Sequence, residues 1–422
     1  MKKHIASILF LFLLSTFQLI AQSHSVKRLG IEQGLSNNYV VSITQDKQGF
    51  LWFATEEGLN KFDGTRFTTY YKNDLTQDNQ GITGNELNRV YADTKHPIIW
   101  IATQRDGLNA YNYNEQTFTA YQHNPENPHS LITNDVTDIA PSTQHDDGLW
   151  ISTYYRGIEY LDITSGQFTH YNKSTVPSLP CDQTWTVLDG GDGNLYIGHV
   201  GSGFSIFSPK DKSVKNFRNE AGNPMSLPGN DVFCIIKDAN GNIWLGTNNG
   251  LALYDAANEN FITFKNNKND KYATLCSRIL SIRQLKDNRL WIASELNGIA
   301  ILNLKQSMFL SPEEISLEYI QEGADNRSLS NASARCIFQD SFDNIWIGTW
   351  GGGINFISSK PPLFTTLSYS PIPNNENSLN NKVASSLCMD RQGRVWIGTD
   401  GGGINVFEGE KRIAIYKKES GN

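Results

Sequence analysis

The sequence of 422 residues has little of what most chemistry on proteins requires: 5 cysteines, 4 methionines and 8 histidines. The cysteines, Cys181, Cys234, Cys276, Cys336 and Cys388, are odd in number and contain no C-x-x-C pair, so neither a disulfide framework nor a thiolate zinc site is expected. Cys234 and Cys336 each stand four residues before an aspartate in equivalent repeats, which reads as a small packing position for an unpaired, buried thiol. The histidines all fall in the first half of the chain and none has H-E-x-x-H or H-x₃-H spacing, which argues against a bound metal. There is no G-x-S-x-G nucleophile elbow. The glycine triplets at 351–353 and 401–403 lack the Lys-Ser/Thr and the following helix of a phosphate cradle. The oxygen-rich stretches "DGGDGN" and "DANGN" have turn composition and not the ligand spacing of a calcium loop. Positive charge is not in excess either, at 36 Lys+Arg against 43 Asp+Glu, which excludes nucleic acid as an expected partner.

Beyond the start of the chain no segment offers eighteen apolar residues in a row, so nothing downstream is expected to insert in a membrane. The start itself, "MKKHIASILFLFLLSTFQLIAQS", has two lysines, an apolar run and a small-residue cut after Ala21. That is the pattern of a secretory signal peptide over residues 1–21, with an uncleaved anchor as the rival reading. Polar Ser15, Thr16 and Gln18 interrupt the run and favour cleavage.

What the chain has in quantity is glycine, 35 residues, and aromatic side chains, 11% of the total. These suit short strands and tight turns, and the expected class is all-β. A phrase of the form "IWIGT…GGIN" recurs eight times, marked by Trp52, Trp100, Trp150, Tyr196, Trp244, Trp291, Trp346 and Trp396. Four units share one internal spacing: Leu35, Asp46, Trp52 and Gly58 are separated by 11, 6 and 6 residues, and the units at Trp244, Trp346 and Trp396 repeat it. A fixed period of this size implies an array of one supersecondary unit. Within a unit four apolar runs are separated by Asn, Asp and Gly turns, which gives a four-stranded antiparallel meander. Such a sheet has two faces to cover, and radial packing around an axis covers both, giving a β-propeller. In that packing the marker aromatics lie between blades. A small residue after "WI" marks close approach of sheets, and the later glycine takes positive φ in the second hairpin.

The layout of residues 362–399, a lone strand followed by two paired runs, repeats that of residues 26–55. If each ring opens on a lone strand, residues 26–30 join the sheet at 333–357 and close seven blades. The expected organisation is therefore a seven-bladed propeller over 22–360, with 361–422 as the first blade of an incomplete second propeller. The long interval before Trp346, near "QSMFLSPEEISLEYIQ", reads as an outer excursion of the sixth blade.

The opening "GLSNNYVVSITQDKQGFLWFATEEGLNKFDGTRFTTY" and the later D-x-x-G-x-[LIV]-W-I-G-T-x-G-G-G-[IL]-N units resemble the two-component regulator propeller of hybrid two-component system histidine kinases. The resemblance covers nearly the whole chain after the leader. It implies a periplasmic location and a sensor role in glycan-using bacteria, with an oligosaccharide as the ligand. In that family two propellers precede an immunoglobulin-like domain, a membrane helix and a kinase, so phosphotransfer and homodimer formation would belong to a longer parent. No catalytic residue and no cofactor is expected in this chain.

Between repeats the framework is constant, and the second hairpin of each blade is not. Its variable residues form a ring on one face. Tyr154, Tyr155 and Trp350 are suited to stack on sugar rings or on a protein, Arg105 and Arg156 to hold a carboxylate or sulfate, and Glu295 to accept hydroxyl groups. His199 falls in the same stretch of the fourth unit. These seven residues are the expected ligand-binding set. A protein-interaction scaffold is the alternative reading, and a propeller hydrolase or lyase is a further one, for which carboxylates or a Tyr/His pair should converge at the axis.

Overall fold

The computed structural model describes residues 25–73, 81–264, 272–304, 317–324, 326–360, 367–370 and 375–418. The signal peptide expected at 1–21 lies outside the described residues, as does most of the excursion expected before residue 317. Among the described residues no helix is long and apolar enough to cross a membrane.

Eight four-stranded antiparallel sheets make up the fold. The unit at Trp244 is representative, with strands Val232–Lys237, Ile243–Thr247, Gly250–Asp255 and Asn260–Thr263 paired in sequence order. Its first turn is built by Asp238, whose Oδ1 accepts the backbone N–H groups of Asn240 and Asn242. Its second hairpin needs Gly250, whose φ is 119° and whose absent Cβ would lie 2.9 Å from the Leu275 carbonyl of the next blade.

The first strands of seven units lie side by side around an axis. The circle closes where Val40–Gln45 packs on Ala334–Gln339. One blade is made from both ends of the ring. Val26–Leu29 pairs antiparallel with Ile354–Ile357, in the register Val26↔Ile357 to Leu29↔Ile354. The eighth sheet, which begins with Ala384–Met389, takes no place in this circle, and that strand is exposed along its length.

Packing between blades follows from two features of the repeat. Trp52, Trp100, Trp244 and Trp291 are completely buried, and each sits in an apolar cluster shared with a neighbouring blade. Burying an indole also buries its N–H, which then requires an acceptor. The same aspartate that builds the first turn supplies it: Trp52 Nε1 donates to Asp46 at 2.8 Å, Trp244 to Asp238 at 3.0 Å and Trp346 to Asp340 at 2.9 Å. Two residues further along, the strand meets its neighbour closely. A Cβ on Gly348 would lie 2.6 Å from Cys336 Sγ and 2.8 Å from Val40 Cγ1, which explains the small residue after "WI". Of the cysteines, Cys336 is buried, but Cys388 is exposed on the uncovered first strand of the eighth sheet and not packed.

His199 departs from its expected place. It ends the strand Leu195–His199, at the framework position held by Thr55, Thr153 and Thr349 in other blades, and not in the variable hairpin. It is fully buried, with Nε2 2.8 Å from Ser205 Oγ and Nδ1 3.5 Å from Cys181 Sγ. It therefore cannot belong to an exposed ligand set. Desolvation lowers its pKa to about 4.

Two outcomes are expected. Asp340→Ala removes the acceptor of two turn amides, the Asn344 side chain and the Trp346 indole at once, so denaturant unfolding should register a loss of about 2–4 kcal/mol. Asp63→Ala, in an exposed turn, should cost clearly less; equal losses would contradict the role given to the buried pair. For His199 the native state binds fewer protons than the unfolded chain between the ordinary value of 6.5 and about 4, so stability is lost as pH falls through that window. His199→Gln should flatten the stability profile there by about one proton, on the order of 1.4 kcal/mol per pH unit. An unchanged slope would contradict a buried, neutral imidazole.

Candidate functional site

The second hairpins of the blades share a face with the loops that enter the next blade. The hairpin glycine N–H donates to that loop repeatedly: Gly58 to Asn85 O, Gly107 to Asn134 O, Gly203 to Asn230 O, Gly298 to Ala332 O and Gly353 to Asn38 O. These bonds make the rim continuous, including across the closure, where Tyr39 and Trp350 also bridge.

Inside this rim each first strand carries a β-bulge after its first residue, seen as register shifts between Thr184/Thr186, Val232/Cys234 and Ala334/Cys336 among others. A bulge re-aims the extra side chain. The bulged residues, among them Thr137, Trp185, Phe233, Leu280 and Arg335, all line one axial cavity of about 630 Å³. The volume falls within the ~300–1,000 Å³ typical of small-ligand pockets.

At the mouth of this cavity aromatic and charged side chains alternate. Tyr155 meets Tyr154 edge-on at 4.5 Å, Tyr154 meets Trp185 at 6.2 Å, and Trp185 meets Phe233 at 5.8 Å. The Arg278 guanidinium lies 4.2 Å over Phe233 and 3.4 Å from Glu295. Further round, Arg335 lies 5.4 Å from the Tyr39 ring and 5.5 Å from that of Trp350, and those rings are 4.7 Å apart. Burial raises the Tyr39 pKa against the opposing pull of Arg335. Glu56 is raised by partial burial and then by the like charge of Glu86. Among the described residues the cavity below is lined by one carboxylate, Asp138, and no histidine.

Of the expected set, Tyr154, Tyr155, Glu295 and Trp350 thus join this arc, and Tyr155 and Trp350 remain about half exposed. Arg105 and Arg156 are exposed on their hairpins, and no ion pair or ring contact ties them to it among the described residues. His199 lies in the interior. Sequence comparison of hairpins missed Tyr39, Trp185, Phe233, Arg278 and Arg335, because these stand at or just before the bulge of the first strand. A signal for one of them was present: Trp185 and Trp350 are the two tryptophans that fall off the repeat.

Residues 34–57, 226–249, 328–351 and 378–401 match the two component regulator propeller family. The chain is 64% identical to the extracellular domain of a B. thetaiotaomicron protein described as a hybrid two component system, with a TM-score of 0.77 over 93% of this chain and 49% of that one. A second B. thetaiotaomicron domain so described is 19% identical, with a TM-score of 0.61 over 94% of this chain and 47% of that one, and shares the fold. Virginiamycin B lyase from Staphylococcus aureus, 13% identical with a TM-score of 0.58 over 80% of this chain and 100% of its own, likewise shares only the fold. A stretch of 66 residues, 16% of this chain and 5% of the relative, is 42% identical to histidine kinase P4 of Formosa agariphila. The chain spans about half the length of the B. thetaiotaomicron domains it matches. Repeats, ring and relatives agree: the chain is a β-propeller that carries two component regulator propeller repeats and has the fold of the extracellular domains of hybrid two component systems.

Proposed function

We propose that this chain is the periplasmic ligand-sensing propeller of a two-component signalling protein, and that its ligand is an oligosaccharide bound at the axial mouth. The observation that carries the reading is the arc from Tyr155 through Trp185 and Phe233 to Arg278 and Glu295, continued by Arg335, Trp350 and Tyr39. Aromatic faces take up the C–H surfaces of sugar rings, and guanidinium and carboxylate groups between them bind hydroxyls. An occupant of that mouth touches both the third blade and the closure, where the two ends of the ring meet. It would thereby bias the packing of the ring against whatever follows, including the exposed sheet at Ala384–Tyr416, which we assign as the first blade of a second propeller.

A glycan-binding screen of the purified chain tests this reading. An oligosaccharide should bind, and Trp185→Ala and Trp350→Ala should each weaken it about tenfold while the far-ultraviolet spectrum stays unchanged. Failure of every oligosaccharide together with tight capture of one protein would support the scaffold reading instead. Release of shortened saccharide would support a hydrolase or lyase.

A further inference from the structure

Below the aromatic mouth the chemistry of the axial cavity changes. Its lining includes Arg89, Lys237, Arg278, Arg283 and Arg335, against the single carboxylate Asp138, in a chain whose net charge is −7. That carboxylate is already committed. Arg89 Nε lies 3.1 Å from its Oδ1, the Thr186 hydroxyl donates to its Oδ2 at 2.7 Å, and the Ile139 N–H donates to it at 2.9 Å.

Arg283 is the unusual member. Its strand, Ile279–Gln284, places it where the first strands of other blades carry Ala140, Leu188, Ile236 and Phe338, so a guanidinium stands in an otherwise mostly apolar tier. Its side chain is exposed to the open space of the cavity that it lines. Its contact among the described residues is with the Phe338 ring, at 5.7 Å; it forms no ion pair there. Partial desolvation by the surrounding protein, and after it the like charge of Arg89, pull its pKa below the ordinary guanidinium value. Among the described residues no carboxylate pairs with it, so its guanidinium is open to an anion entering the cavity.

We propose that the axial cavity is an oxyanion site, in which Arg283 and Arg89 together receive a carboxylate or sulfate group entering from the mouth. The guanidinium fork suits bidentate contact with such a group, and several cations lining one cavity raise the local concentration of anions there. The proposal rests on the mouth being the binding face and adds to it the ligand's charge: a saccharide that reaches the axis carries an acid group. The same chemistry would take up a free inorganic oxyanion.

The test uses the purified chain and three probes: sodium sulfate, digalacturonate, and the methyl ester of digalacturonate. Sulfate stabilises folded proteins non-specifically, so the readout is the difference between wild type and Arg283→Gln at each concentration. Wild type should gain a saturable rise in melting temperature that Arg283→Gln and Arg89→Gln lack and that Arg66→Gln, in an exposed turn outside the cavity lining, keeps. Without any anion Arg283→Gln should melt no lower than wild type, because it removes one of several like charges around the cavity. A drop of several degrees would make Arg283 a structural residue and overturn the proposal, as would identical sulfate curves for the two proteins. Digalacturonate binding at least tenfold tighter than its ester, and weakened by Trp350→Ala, would identify the oxyanion as part of a sugar bound across mouth and axis. Sulfate binding with no preference for digalacturonate would support a site for a free oxyanion and remove support from the oligosaccharide reading. Neutral saccharides that bind Arg283→Gln as well as wild type would leave the mouth as a sugar site and overturn the axial one.

Discussion

The bond from a buried indole N–H to the aspartate six residues before it is the contact on which this propeller depends. A tryptophan between two sheets supplies more apolar area than another residue can, but its one polar atom must be satisfied where water is absent. The aspartate does this with one oxygen and uses the other to fold the turn between the first two strands, as at Asp46, Asp238 and Asp340. Local turn and inter-blade packing are in this way one device. In the third and fourth blades, where the device changes, the replacement keeps its logic. In the third blade Ser142 stands at the position of the framework aspartate, and Trp150 donates instead to Asp189 of the next blade. Tyr196 reaches Asp192 through its hydroxyl.

With the outer framework pinned by these bonds, the first strands are free to vary where they face the axis. Each bulge turns one side chain inward, and seven unlike residues around a cavity make an asymmetric lining from a symmetric scaffold. The hairpin ring above it and the bulge ring below it are successive levels of one site. Closure by Val26–Leu29 matters to that site directly, since Tyr39 and Trp350 become neighbours only when the two ends of the circle meet.

Most of the scaffold can be read from residues alone because its constraints are local and repeated. The Asp–Trp spacing, the small residue at Gly348 and the positive-φ glycine at Gly250 are each dictated by contacts that recur in blade after blade. The mouth was only partly legible. Trp350 and Glu295 vary in an aligned hairpin and stand out, whereas Phe233 and Arg335 sit in strands where an apolar or long side chain looks like ordinary packing until the bulge fixes its direction. His199 was misplaced for a related reason: without the pairing register, a histidine that substitutes for the framework threonine cannot be told from the first residue of a hairpin.

If the blades share one cooperative framework pinned by these bonds, the indole protons report it. Native-state hydrogen exchange of the tryptophan indole N–H groups is the most direct measurement. Trp52, Trp100, Trp244 and Trp346 should exchange with a single opening free energy equal to that of global unfolding, while half-exposed Trp350 exchanges far faster. Separate opening energies for each blade, or fast exchange of the indoles bonded to aspartate, would contradict the account.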